Sequence, residues 1–263
     1  MKKFRVIQFN MQFGRVWRES DPDHAPIELE RTIAEIRKRD ADIVLLQEVE
    51  QAQPGGTQSD PPPNYTRLRA EFPHYDGYFH YPKPDPRELP FGVGLAILSR
   101  TPLREQRHWH LPSPPIEFEF QGKTLTPTDR QLIGAETTVD GRKLLVFNTH
   151  LLAFFMLNSS SEMHDAQRKL VAEQIAKAQG AALIGGDFNV RQHASLVRQF
   201  SHAGYRPVQT QEYTWRRRPY VLDHIFYNAG LRSTGHAVHP TPASDHHVLV
   251  AEFVSVSKVD SCQ

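Results

Sequence analysis

Short apolar runs that stop at polar, ligand-type side chains recur along the chain. The clearest covers residues 181–184, passes through Gly185-Gly186 and reaches Asp187, Phe188 and Asn189. Such a run is typical of a buried β-strand. Since residues i and i+2 of an extended segment face the same side, Asp187 and Asn189 are expected to converge on one ligand while Phe188 packs the opposite way. The alternative is a polar strand end that leads into an ordinary Asx turn.

Other predicted strands also carry polar side chains at one end. The boundary residues are Asn10 after residues 4–9, Glu48 after residues 42–47, His150 after residues 144–147, Asp223 after residues 220–222, and Asp245 and His246 before residues 248–253. Apolar runs that repeatedly meet polar residues in this way indicate β-strands whose ends lie at one edge of a sheet. The pattern predicts a polar, metal-capable cluster along that rim.

Apolar residues at near-helical spacing predict helices between the strands. The predicted helices span residues 27–39, 65–72, 161–178 and 196–203. In the third helix, Ser161 is the predicted N-cap, Gly180 is the stop, and Ala166, Leu170 and Ile175 form the inward face.

Several shorter segments complete the predicted sheet structure. Strands are expected at residues 75–81, 92–99, 118–120, 132–139 and 143–147. Asp140-Gly141 suits a two-residue hairpin turn between the last two of these. The order of strand, helix and strand near the start of the chain argues for a layered α/β fold.

Composition narrows the class of protein. The chain has 263 residues, a formal net charge of +1 and a single cysteine, Cys262. The balanced charge gives no sign of a strong electrostatic grip on polyanions, and a lone cysteine excludes an intramolecular disulfide. No stretch is long and apolar enough to span a membrane, and the first residues lack the apolar run of a secretory signal. A monomeric, cytoplasmic protein is therefore expected.

Seven short segments carry a family resemblance, in order and across nearly the whole chain. They are Phe9-Asn10, Leu46-Gln47-Glu48, Gly94-Leu95-Ala96-Ile97-Leu98-Ser99-Arg100, Asn148-Thr149-His150, Gly186-Asp187-Phe188-Asn189, Leu222-Asp223-His224-Ile225 and Ser244-Asp245-His246. On these segments the chain resembles the endonuclease/exonuclease/phosphatase superfamily, the DNase I-like metal-dependent phosphoesterases. The resemblance implies a four-layer α/β sandwich, with two mixed β-sheets face to face and helices outside. No linker is visible, so residues 1–263 are expected to form one domain.

The resemblance also implies a divalent metal site. It places Asn10, through its carboxamide oxygen, with Glu48 and Asp245 at a Mg²⁺ or Mn²⁺ ion. Oxygen ligands suit these hard cations, and Mg²⁺ usually keeps several waters, so a small ligand set is sufficient. The single cysteine argues against a closed zinc site.

Five further residues are implied as catalytic. They are His150, Asp187, Asn189, Asp223 and His246. Asp187 would position or deprotonate the attacking water, Asn189 would donate to a phosphoryl oxygen, and Asp223 would orient His246. Whether Asp187 or His246 is the general base stays open at this stage.

Arg130 is a candidate for substrate binding. An arginine just before a predicted strand is able to clamp a phosphate with two donors. The alternative is a surface ion pair with Asp129 or another neighbour.

The substrate class is less sharply indicated. Two interpretations are open for the loop that contains Arg216 to Arg218 with Trp215 and Tyr220. The loop either binds a nucleic-acid backbone or is an ordinary solvated loop that the arginines cap. Residues 151–157 either pack on the core or offer an apolar wall to a lipid or an aromatic leaving group. The prediction is a Mg²⁺-dependent phosphoesterase, and more narrowly a phosphodiesterase. The alternatives are a DNA repair-type nuclease and a catalytically silent binding module, which would not need the full set of site residues.

Overall fold

The computed structural model describes residues 2–256, and Cys262 lies outside this range. The strands are β1 (Phe4–Asn10), β2 (Ile43–Gln51), β3 (Asp76–His80), β4 (Gly92–Ser99), β5 (Arg104–Leu111), β6 (Phe118–Phe120), β7 (Lys123–Leu125), β8 (Arg130–Val139), β9 (Arg142–His150), β10 (Ala181–Asp187), β11 (Tyr205–Pro207), β12 (Asp223–Asn228), β13 (Leu231–His239) and β14 (Val248–Ser255). The α-helices are α1 (Leu29–Arg39), α2 (Pro63–Glu71), α3 (Ala166–Ala176) and α4 (His193–His202). Short 3-10 turns occupy Gln12–Gly14, Pro54–Gly56 and Phe154–Leu157.

Two mixed sheets of six strands form the framework. One has the order β13-β14-β1-β2-β4-β3 and the other β11-β12-β10-β9-β8-β5, while β6 and β7 form a separate hairpin. Each large sheet has one parallel pair near its centre, β1 with β2 and β9 with β10. The carboxyl ends of parallel neighbours lie at the same edge, so both sheets bring polar strand ends to one rim.

The sheets pack face to face, and helices cover both outer faces. Leu45 and Ile97 of the first sheet meet Val146 and Leu183 of the second in a shared inner core. Helices α1 and α2 cover the outer face of the first sheet, and α3 and α4 cover that of the second. This arrangement confirms the predicted four-layer α/β sandwich, in which the central strands of both sheets are buried between layers.

Helix α3 differs from its prediction. It begins at Ala166, five residues after Ser161, and Asp165 precedes it without a side-chain cap. Its buried face includes Val171 and Ile175, whereas Ala166 is exposed. The buried Gln167 explains the shift, because its side chain accepts a hydrogen bond from the Leu152 backbone and donates to the Leu111 carbonyl. A tertiary contact of this kind leaves no periodic apolar signal.

The strand boundaries around residue 223 also differ from prediction. Residues 220–222 are not a strand, and β12 begins at Asp223 instead of ending there. Since β12 runs antiparallel to β10, its start lies beside the end of β10, with Asp223 opposite Asp187. The predicted meeting of polar ends is therefore preserved. The Asp140-Gly141 hairpin turn is confirmed, with both residues at positive φ as a type I′ turn requires.

Strands β5, β7, β11 and β13 have no counterpart among the predicted strands. Of these, β5, β11 and β13 are edge strands, and β5 exposes most of its polar side chains. Polar edges protect a sheet from pairing with another chain, and they also remove the apolar alternation by which strands are recognised. Among residues 2–256, no helix combines the length and the apolar character that crossing a bilayer requires.

The buried ring of His224 leads to a prediction about how the free energy of unfolding depends on pH. It is buried against Phe188 and Phe226, and burial, reinforced by nearby His193 and opposed by Asp223, lowers its pKa from 6.5 to about 4. Below pH 6.5 the unfolded chain binds a proton at this ring that the folded protein does not, so the free energy of unfolding falls as the pH drops toward 4. His224→Phe should reduce the loss between pH 7.5 and 5 by about 2 kcal/mol.

Urea denaturation of both proteins at the two pH values measures this difference. Other acid-sensitive groups are common to both, so the comparison isolates His224. An equal loss in the two proteins would contradict the prediction.

Candidate active site

The predicted polar rim exists, and most of its residues reach it from strand ends. Glu48 differs from its prediction, because β2 continues to Gln51 and Glu48 lies within that strand, where the register with β4 shifts. Asn10 closes β1, His150 closes β9 and Asp187 closes β10, while Asp223 opens β12. Residues 244–247 come just before β14, which runs antiparallel to β1, so they lie beside the end of β1. The Ser244 hydroxyl donates to the Asn10 carbonyl at 2.8 Å and fixes that approach.

Asn10 links acids from both sheets. Its side-chain nitrogen donates to Glu48 Oε1 at 2.9 Å and to Asp187 Oδ2 at 3.0 Å. Its side-chain oxygen accepts the Gln12 backbone N–H at 3.1 Å. The carboxamide thus faces the acids with its nitrogen, so a cation placed between them would require the amide to turn over.

Asp187 and Asn189 converge as predicted, but by a different local conformation. Asn189 has a φ of 51°, in the left-handed region, so the segment is not extended. Its backbone N–H donates to Asp187 Oδ1 at 3.0 Å, which is an Asx-type turn. The Asn189 amide nitrogen then lies 3.1 Å from His150 Nε2 and donates to the Leu151 carbonyl. The sequence left an Asx turn and a converging pair of side chains as alternatives, and the structure contains both.

His246 and Asp223 form a buried ion-pair geometry. His246 Nδ1 lies 2.8 Å from Asp223 Oδ2, and its Nε2 lies 3.6 Å from Asp187 Oδ2. Burial alone would lower the pKa of His246, but Asp223 and Asp187 outweigh it and raise that pKa well above 6.5. The two carboxylates therefore favour the protonated form of the His246 ring, whose Nδ1 lies against Asp223.

The other groups of the site are shifted mainly by burial. Burial raises the pKa of Glu48 to about 7, an effect that Asp245 adds to and Asn10 opposes. Burial likewise raises the pKa of Asp187, with Asp223 and Glu48 adding to it against His246. Burial lowers the pKa of His150 well below 6.5. The carboxyl groups of Glu48 and Asp187 therefore have too little positive charge nearby to offset their burial. The His150 ring, in contrast, is neutral.

Glu48 depends on a glycine that the sequence patterns did not single out. Glu48 has a φ of 50° and lies where the register between β2 and β4 shifts. A Cβ atom built on Gly92 would come within 2.2 Å of the Glu48 side chain. The missing side chain at Gly92 therefore leaves the space in which Glu48 turns toward Asn10.

Three buried carboxamides beneath the site were also not predicted. Gln8 donates to Gln47 at 2.7 Å and to Asp223 Oδ1 at 2.9 Å. Gln47 donates to Asn148 at 2.6 Å, and Asn148 donates to the carbonyls of Leu46 and Ala96. Gln8, Gln47 and Asn148 have no exposed surface, so this layer separates the apolar core from the charged rim.

Asp245 and Arg130 lie at the border of the site. Asp245 Oδ2 accepts the Arg217 Nε–H at 2.9 Å and the Trp215 indole N–H at 3.2 Å. Arg130 donates to Thr128 at 3.1 Å and lies 3.8 Å from Glu88, not from Asp129. The Arg130 charge is close enough to contribute to the low pKa of His150.

Two parts of the rim offer oxygen or nitrogen ligands to a metal. Ligand atoms of Asp187, Asp223 and His246 lie within 4.8 Å of one another. In that trio, however, the imidazole and one carboxylate already satisfy each other. Glu48 and the Asn10 carboxamide, with Asp187 across the gap, form an all-oxygen set once the amide turns, which is the set that a hard divalent cation prefers.

The His246–Asp223 pair makes a prediction. Asp223→Asn removes the nearest negative charge, so the pKa of His246 should fall by about one to three pH units. Heteronuclear NMR titration of the histidine rings measures it. An unchanged pKa of His246 in the variant would show that Asp223 does not hold the proton there.

Comparisons with known proteins agree with this geometry. Residues 7–246 match the Endonuclease/Exonuclease/phosphatase family. A UPF0294 protein of Yersinia pseudotuberculosis is 34% identical over 118 residues, which are 43% of this chain and 44% of that protein. The chain thus spans less than half the length of this curated relative.

Solved structures share the fold at low identity. An endonuclease/exonuclease/phosphatase from Beutenbergia cavernae has a TM-score of 0.72 and 20% identity, over 97% of this chain and 72% of that one. D. rerio TDP2, complexed with a single-strand DNA product, has a TM-score of 0.65 and 18% identity, over 97% of this chain and 100% of that one. The family match covers nearly the whole chain, and the chain belongs to the endonuclease/exonuclease/phosphatase family.

Proposed function

We propose that the protein is a divalent-metal-dependent phosphodiesterase that uses in-line attack of an activated water. The observation that carries this proposal is the convergence of Asn10, Glu48, His150, Asp187 and His246 at one rim, with buried acids beside an imidazolium. Family membership supports hydrolysis of a phosphate ester as the reaction class. A binding module has no need to bury so many charged groups together, since each loses its hydration.

We assign the metal to Asn10 and Glu48, with Asp245 facing the same cleft. The raised pKa of Glu48 supports this assignment, because burial and the charge of Asp245 disfavour its carboxylate form and a bound cation would offset both effects. Mg²⁺ or Mn²⁺ fits this oxygen set. When bound, the ion would neutralise charge on the phosphate and activate the scissile ester.

We assign the general base to Asp187 and not to His246. An imidazolium paired with Asp223 has no free electron pair with which to take a proton from water. Burial raises the pKa of Asp187 to about 8, close to the operating pH at which a general base works best, and its carboxylate form is available to take a proton as the pH approaches that value. His246 would then stabilise negative charge that develops on the phosphate.

The remaining polar groups are suited to holding the phosphate. The Asn189 amide nitrogen lies 3.1 Å from His150 Nε2 and also donates to the Leu151 carbonyl, and the Arg130 charge acts on the same His150 ring. Fixed donors of this kind stabilise a phosphoryl oxygen without needing to reorganise during the reaction. A role for Arg130 as a phosphate clamp would require it to leave the weak contact with Glu88.

The loops beside His246 favour a substrate with an apolar or aromatic group. Phe155 packs edge-on against both Trp215 and Tyr220, and Trp215 lies next to His246. Of the three successive arginines, Arg216 and Arg217 point at Trp17 and are not free to follow a nucleic-acid backbone. We therefore place a small or aromatic phosphodiester ahead of a nuclease substrate, although the related TDP2 structure holds single-strand DNA.

Model esters test the reaction class. The protein should hydrolyse bis-p-nitrophenyl phosphate faster than p-nitrophenyl phosphate with Mg²⁺ or Mn²⁺, and EDTA should abolish the activity. Asp187→Ala should lower turnover by a factor of about 10² to 10⁴ with an unchanged circular dichroism spectrum. Near-normal turnover in the variant would remove Asp187 from the mechanism. If neither ester is cleaved, a single-stranded oligonucleotide and phospholipid vesicles are the next substrates.

Gly92 provides a test of the metal assignment. Gly92→Ala should push the Glu48 side chain out of place, since the added Cβ would overlap it, and should weaken Mn²⁺ binding by about tenfold. Isothermal titration calorimetry measures the affinity. Gly235→Ala is the matched control, because a Cβ there meets no atom within 4 Å. Equal Mn²⁺ affinity in the two variants would contradict the role given to Glu48.

A further inference from the structure

The carboxylate of Asp245 already has a positive partner built into the protein. Asp245 is only 6% exposed, and its Oδ2 atom accepts hydrogen bonds from Arg217 Nε and from the Trp215 indole. The backbone reinforces this docking, because Arg216 N–H donates to the Asp245 carbonyl and His247 N–H donates to the Thr214 carbonyl. The loop that carries Arg217 is thus fastened along the segment that carries Asp245.

The Arg217 side chain is fixed on its other sides as well. Its Nη2 atom lies 2.8 Å from Asp23 Oδ1, and its guanidinium carbon lies 5.7 Å from the centre of the Trp17 ring. The loop that contains Trp17 is itself fastened nearby, since the Trp17 N–H donates to the Pro242 carbonyl. Two carboxylates and one aromatic face therefore hold the Arg217 guanidinium. The next arginine, Arg218, is exposed and lacks these contacts.

The charges of the rim divide into compensated and uncompensated acids. His246 compensates Asp223 at 2.8 Å, and Arg217 compensates Asp245 at 2.9 Å. Glu48 and Asp187 share only the neutral amide of Asn10 at hydrogen-bonding distance, and the nearest imidazole nitrogens lie 3.6 Å or more away. The unmatched negative charge is that of two carboxylates, which is the charge of one divalent cation.

We propose that Arg217 serves as the resident cation of Asp245 and thereby limits this site to one divalent ion, on the side of Asn10 and Glu48. A second dication near Asp245 would meet a guanidinium already within 3 Å of that carboxylate, and like charges at such separations repel strongly away from bulk water. The inference rests on the proposed metal-dependent function and adds a metal stoichiometry and a residue that enforces it.

Counting bound Mn²⁺ tests the proposal without an activity assay. Electron paramagnetic resonance of free Mn²⁺ during titration should give about one ion per chain for the wild-type protein and for the control Arg218→Gln. Arg217→Gln should bind about two ions, because Asp245 is then an uncompensated acid. Arg217→Gln combined with Asp245→Asn should return to about one. Arg217→Lys, which keeps the positive charge, should also bind about one.

The outcomes separate this inference from the metal assignment. Two ions in the wild-type protein, or one ion in a folded Arg217→Gln variant, would overturn the role of Arg217. If Arg217→Gln fails to fold by circular dichroism, the wild-type count and the count for Arg217→Lys still decide, since either value near two contradicts the proposal. Unchanged Mn²⁺ binding by Glu48→Gln would instead overturn the metal assignment on which the inference rests.

Discussion

Two hydrogen bonds that cross from one sheet to the other hold the rim together. Asn10 of the first sheet donates to Asp187 of the second, and Gln8 of the first donates to Asp223 of the second. Acids that are removed from water repel each other and need donors or cations close by. Neutral carboxamides supply donors without adding charge, so the same bonds align the sheets and orient the two acids.

The layer of Gln8, Gln47 and Asn148 explains how a charged cleft can lie directly above an apolar core. Below this layer the inner faces meet through aliphatic side chains such as Leu45 and Leu183. Above it lie the acids and histidines. Each carboxamide in the layer donates to a named partner, so the layer is hydrogen-bonded within itself and to the rim above it.

Local patterns predicted the polar rim at the strand ends, whereas the four layers and the roles of the site residues were implied by the family resemblance. Asn10, Asp187 and Asp223 could be placed because apolar strands end or begin at them, and parallel pairs bring such ends together. The conformations at Glu48 and Asn189 could not be predicted, because both adopt positive φ where the backbone leaves the regular ladder. Arg217 and Gly92 matter through partners about 30 to 45 positions away in sequence, and spacing along the chain does not encode such contacts.

The pairing of β1 with β14 has a consequence for how the protein is made. Of the described strands, β1 is the first in sequence and β14 the last, and β1 lies between β2 and β14 in its sheet. Until residues 248–255 emerge, β1 has one open edge and the segment with His246 has no strand to anchor it. The rim is therefore incomplete until β14 pairs with β1, so the cleft forms only after the last of the described strands has been made.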